Sequence, residues 1–126
     1  MKPAWENAVT RGDVEAARRL MQEGEDVNAR DRHGQTALML AAHRGHRALL
    51  DLLIESGADL NVTAKYHLSA LMLAIVAGHA EIARRLAQAG ADRDIRGTGA
   101  PGFAGKTAHD LAVERGMEEL YEDLEP

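Results

Sequence analysis

At 126 residues, with 15 Lys and Arg against 20 Asp and Glu, the chain is one domain long and carries a formal charge of −5. It has no cysteine, which excludes disulfides and cysteine catalysis, and its aromatic set is Trp5, Tyr66, Phe103 and Tyr121 alone. No stretch approaches the roughly 18 apolar residues of a membrane span, and MKPAWENAV lacks the apolar core of a secretory signal, so a cytoplasmic protein without a leader is expected.

In chain order, Pro3 precedes a helical pattern near residues 4–11, and Asp13 is a good N-cap for a second over 14–23 whose Arg18, Arg19 and Gln22 face solvent. Gly34 and Thr36 end a polar turn, and Thr36 can cap the small apolar run Ala37 to Ala42, which Gly45 breaks. His46 opens the next helix, Arg47 to Glu55, covered by Leu49, Leu50, Leu52, Leu53 and Ile54. Gly57 follows at a position that wants a left-handed residue. The pattern then returns, with helices expected over 70–77 and 80–89. Here Tyr66-His67-Leu68 stands where the previous copy has His33-Gly34-Gln35, so the lost glycine predicts a different turn. In the last copy Gly105-Lys106-Thr107-Ala108 repeats Gly34-Gln35-Thr36-Ala37 at an offset of 71 instead of 66. The five extra residues lie within the glycine-rich stretch 97–104, and two short helices follow near 108–114 and 117–123. Loop closure costs grow slowly with length, so the insertion is expected to be dispensable for folding.

The interval is 33 residues: Gly12, Gly45 and Gly78 obey it, as do Gly24, Gly57 and Gly90, then Asp26, Asp59 and Asp92, and His46 with His79. Trp5 falls where later copies have Leu38 and Leu71 and is expected to cover the open end of the core. Helices this short bury their apolar faces only against neighbouring copies. On these residues the chain resembles the ankyrin-repeat family, with Thr36-Ala37-Leu38-Met39 and Ser69-Ala70-Leu71-Met72 in place of the family's Thr-Pro-Leu-His. The resemblance implies an all-α solenoid of four helix-turn-helix units with β-turn or hairpin fingers. Their spans are about 1–30, 31–63, 64–96 and 97–126. The layout is similar to that of small free-standing four-repeat members, one of which shares the GEDVN found at Gly24 to Asn28.

Two patterns invite chemistry. APGFAGKT, Ala100 to Thr107, satisfies a relaxed P-loop, and Gly97, Gly99 and Gly102 a G-x-G-x-x-G, but the preceding Ala91 to Arg96 is a turn rather than a buried strand. Six histidines suggest metal, yet His43 and His46 straddle a helix break, His46 and His79 fill a structural position, and His33 and His67 lie in turns. His109 replaces a core leucine and is expected to bond to backbone. No catalytic, cofactor-binding or metal-binding residues are assigned, and no enzyme activity is expected.

The functional expectation implied by the family is a monomeric protein-binding module using finger tips and first helices. The candidate contacts are Arg32, His33, Gln35, His43, Arg44, Lys65, Tyr66, Leu68, Val76 and Phe103. The last four apolar groups stand at positions expected to be exposed, or else pack on one another or on the insertion. Residues 114–126 hold six acids and one Arg, the whole net charge, while Arg30, Arg32, Lys65, Arg93, Arg96 and Lys106 mark the fingers. That layout favours an acidic protein surface over nucleic acid or membrane as partner. The alternatives are a nucleotide-dependent switch built on residues 97–107, or an engineered or reconstructed scaffold with no natural partner.

Overall fold

The computed structural model describes residues 1–125. Helices come in pairs: α1 (Pro3–Arg11) and α2 (Val14–Gln22), α3 (Ala37–Arg44) and α4 (Arg47–Glu55), α5 (Ala70–Val76) and α6 (Ala80–Gln88), α7 (Ala108–Glu114) and α8 (Tyr121–Leu124). The last helix is shorter than the pattern predicts, because Glu118–Leu120 winds as a 3₁₀ turn. Among the described residues there is no β-strand, only an isolated bridge between Gly97 and Ala104.

First helices stack in the order α1, α3, α5, α7, with second helices behind them. Alanines make that close approach possible: Ala37, Ala41, Ala70, Ala74, Ala108 and Ala112 are all buried on the first helices. Leu50, Leu53 and Leu86 fill the layer between first and second helices. Trp5 closes the N-terminal end with no exposure, and its Nε1 has no hydrogen-bond partner among the described residues. Each first helix after α1 starts on a hydroxyl cap, Thr36, Ser69 or Thr107, accepting from the N–H three residues on at 3.2–3.3 Å.

The 33-residue interval is written in bonds between units. The Nε2–H of His46 donates to the Thr10 carbonyl at 3.0 Å, and that of His79 to the His43 carbonyl at 3.2 Å. Each imidazole lies flat against a glycine: a Cβ at Gly12 or Gly45 would sit 2.7 or 2.8 Å from the ring, and both glycines have positive φ. Met117 takes the equivalent position in the last unit, and there Gly78 faces open space. Asn28 and Asn61 side chains accept from the N–H groups of Asp59 and Asp92, tying successive turns together at 2.9 and 2.8 Å.

His109 departs from its expected role. No backbone bond to it occurs among the described residues, and its ring packs on Tyr121 with centroids 5.6 Å apart.

Candidate functional site

The three fingers hang from the same backbone rung. The N–H of Asp31 bonds the carbonyl of Gln35, that of Ala64 bonds Leu68, and that of Gly97 bonds Lys106, at 2.8, 3.2 and 2.9 Å. The first two rungs enclose equal lengths of chain, and the third carries the extra five residues between its ends. Gly34, His67 and Gly105 occupy the matching left-handed position, with φ of 78, 59 and 76°.

The first finger is held by its own and adjoining residues: Arg30, just before the rung, donates to the Gly34 carbonyl at 3.5 Å. Oδ1 of Asp31 accepts from the N–H groups of His33 and Gln35 at 2.8 and 2.9 Å. The second has Ala64 where that aspartate stood, and both Tyr66 and His67 are left-handed, at φ 60 and 59°. A non-glycine residue there costs about 1–2 kcal/mol. Neighbouring chain holds the turn in place. Thr98 donates its N–H to the Tyr66 carbonyl at 2.8 Å, and His67 Nδ1 bonds the Arg96 carbonyl at 2.9 Å. Phe103 packs its ring 5.6 Å from that of Tyr66. Arg96 reaches across the inserted loop to the Gly105 carbonyl at 2.7 Å. Phe103 is half-buried against the core, so the insertion is a brace for the second finger rather than an independent loop.

Under that brace lies a cleft of about 230 Å³ on the concave face. Tyr66, Val76 and Phe103 wall it, together with Lys65 and Gln35; of the three, Tyr66 is exposed, whereas Val76 and Phe103 are half-buried. Leu68 corrects the sequence reading: it is only 5% exposed and forms part of the cleft's lining, because Tyr66 and the inserted loop fold over it. Met39 and Leu73 also contribute, and neither was singled out from sequence. Their signal was helical spacing, since Leu73 and Val76 lie three apart on one face of α5. The Lys65 ammonium sits 5.0 Å from the Tyr66 ring centroid, within cation–π range.

A second cleft of about 220 Å³ lies beside the first and shares Gln35 with it. It gathers Arg32, His33 and Arg44 with Glu6, Thr10, Asp31 and Leu40. Arg32 Nε–H donates to His33 Nε2 at 3.3 Å, which leaves that imidazole nitrogen an acceptor. His43 lines neither cleft; it is exposed at the end of α3, and its carbonyl holds His79. The ten candidate contacts thus divide into an apolar group, a polar group and one outlier.

The tip cations are partly committed. Lys106 forms an ion pair with Glu114 at 2.6 Å, Arg30 donates to the Thr63 carbonyl at 3.2 Å, and Arg93 to the Glu125 carbonyl at 3.0 Å. Arg32, Arg44 and Lys65 form no ion pair among the described residues.

The P-loop-like stretch has other work. Thr107 and Asp110 form a reciprocal capping box: the Thr107 hydroxyl accepts from the Asp110 N–H and the Asp110 carboxylate accepts from the Thr107 N–H, at 3.2 and 3.0 Å. That backbone bond from Thr107 holds the Asp110 carboxyl below its ordinary pKa. A fixed negative charge therefore stands where a phosphate would have to approach, and the nearby Lys106 already faces Glu114. Among the described residues no group of three or more His, Asp or Glu side chains is placed to hold a metal ion, and no helix is long and apolar enough to cross a membrane.

Residues 5–97, well over half of the chain, match the family described as ankyrin repeats in three copies. The chain belongs to the ankyrin-repeat family. Two ankyrin repeat proteins of Rickettsia felis are each 44% identical to it over 45 residues, covering 36% of this chain and 71% and 68% of their own lengths. Ankyrin repeats generally mediate protein–protein interaction and are typically non-catalytic.

Proposed function

We propose that this ankyrin-repeat chain is a monomeric, non-catalytic module that binds a protein partner with an acidic surface through its fingers and concave first-helix face. Four units carry that face, the outer two serving as caps. The observation that carries the reading is the pair of adjoining clefts: apolar walls from Tyr66, Val76 and Phe103 beside Arg32 and Arg44. A desolvated apolar centre with a charged surround is the layout that gives residence time and directed encounter respectively.

The test starts from affinity capture with the source cell's extract, followed by kinetics on the purified partner. Tyr66→Ala is expected mainly to speed dissociation. Arg32→Glu with Lys65→Glu is expected mainly to slow association, and the slowing should fade as salt rises. Parent-like binding by both variants would move the interface away from the concave face. Sedimentation of the free chain checks that it is a monomer.

A further inference from the structure

The two concave clefts are small, adjacent and chemically opposite. At about 230 and 220 Å³ each falls below the roughly 300–1,000 Å³ of cavities that hold small-molecule ligands, so each is scaled to a side chain. The apolar one is lined by Met39, Leu68, Leu73, Val76 and the two aromatic rings, and Lys65 is its sole charged neighbour. The polar one sets Arg32 and Arg44 against Glu6 and Asp31. Asp31 has already given Oδ1 to two backbone N–H groups of its own turn; neither arginine enters an ion pair among the described residues, and neither does Glu6, while Arg32 spends its Nε–H on His33 and keeps its terminal nitrogens. Between the clefts stands Gln35, whose side-chain amide has no hydrogen-bond partner among the described residues and can both donate to and accept from a passing main chain.

We infer that this face recognises a linear segment of the partner, in which one large apolar side chain sits beside one carboxylate. The inference rests on the protein-binding reading and narrows it. The apolar side chain fills the cleft over Met39, Leu73 and Val76. The carboxylate lies between Arg32 and Arg44, where a guanidinium can hold both oxygens. Gln35 bonds the segment's backbone between them. In an extended segment alternate side chains share a face, so the two recognised residues are separated by an even number of positions. Small separate pits suit such a segment better than a folded surface. A folded partner needs one broad apolar centre, and Tyr66 is the large hydrophobic residue exposed on this side.

The experiment is selection of random displayed peptides on the full chain. Enriched peptides are expected to share a large apolar residue and an Asp or Glu at a fixed even separation. Selection on Arg32→Glu with Arg44→Glu should replace the acid with Lys or Arg and keep the apolar residue. Val76→Glu should lose the apolar preference and keep the acidic one. Thermal melts establish that each variant is folded, and Arg32→Gln with Arg44→Gln, which should simply weaken the acidic preference, serves if the charge reversal unfolds the chain. No enrichment on the folded parent, or an acidic preference indifferent to both arginine variants, would overturn the inference. A captured partner that still binds and still responds to Tyr66→Ala while no peptide is enriched would overturn the linear segment and leave the binding module standing.

Discussion

The first and second fingers occupy the same place in consecutive units and are held by different means. The first, Asp31 to Gln35, contains its own fixings: an aspartate that accepts two backbone N–H groups and a glycine in the left-handed position. The second, Ala64 to Leu68, has neither, and puts Tyr66 and His67 into left-handed backbone under an inserted loop that bonds and packs on them. A local turn is fixed by its own and immediately adjoining residues. A braced turn can place a large aromatic ring and a strained backbone at the mouth of a cleft, and it depends on chain about 30 residues away in sequence.

The largest contrast is expected at the position where the two fingers end. Leu68→Ala removes a buried side chain and should cost about 2–5 kcal/mol by denaturant unfolding. Gln35→Ala, at the matching place in the first finger, should cost about 0.5 kcal/mol or less. Equal costs would mean that Leu68 is not held under the brace.

Next comes the brace itself. A Cβ on Gly97 would overlap the Phe103 carbonyl oxygen, so Gly97→Ala forces the inserted loop apart and should cost about 1–3 kcal/mol. The first finger should be indifferent to it, which amide spectra of residues 31–35 would report.

The repeat itself was legible because its glycines, histidines and aspartates each have a local or nearest-neighbour task. Gly12 and Gly45 make room for an imidazole of the next unit, and Asp26, Asp59 and Asp92 each accept a bond within their own turn. The helices and caps followed from the same logic. The site was legible only as a neighbourhood. Exposure of Leu68 was misjudged because its cover comes from Tyr66 and the inserted loop, which no periodicity reports. The division into an apolar and a polar cleft, with Met39 and Leu40 on opposite sides, depends on how α1, α3 and α5 stack, and spacing within one helix does not encode it.

Smaller effects sharpen the account of self-contained turns. Asp31→Ala deprives two N–H groups of their acceptor and should cost about 1–2 kcal/mol, as loss of a helix cap does. The capping box on α7 should show as acid sensitivity. The bond from Thr107 depresses the Asp110 pKa on folding, so this carboxylate's contribution is present above its ordinary unfolded pKa and is lost as pH falls through the folded one. Asp110→Asn should therefore lower stability slightly near neutrality and flatten the stability profile below about pH 4. A profile parallel to the parent's would show that the carboxylate is free in solution.

Whether the second finger needs its brace is measured most directly by hydrogen exchange after deleting Gly99 to Phe103, which restores the 33-residue interval. The amides of Ala64 and His67, bonded within the second finger, should exchange about tenfold faster or more, equivalent to losing about 1–2 kcal/mol of bonding and packing. Those of Asp31 and Gly34 in the first finger should keep their parent rates. Unchanged protection at Ala64 and His67 in the shortened chain would contradict the claim that the insertion holds this turn.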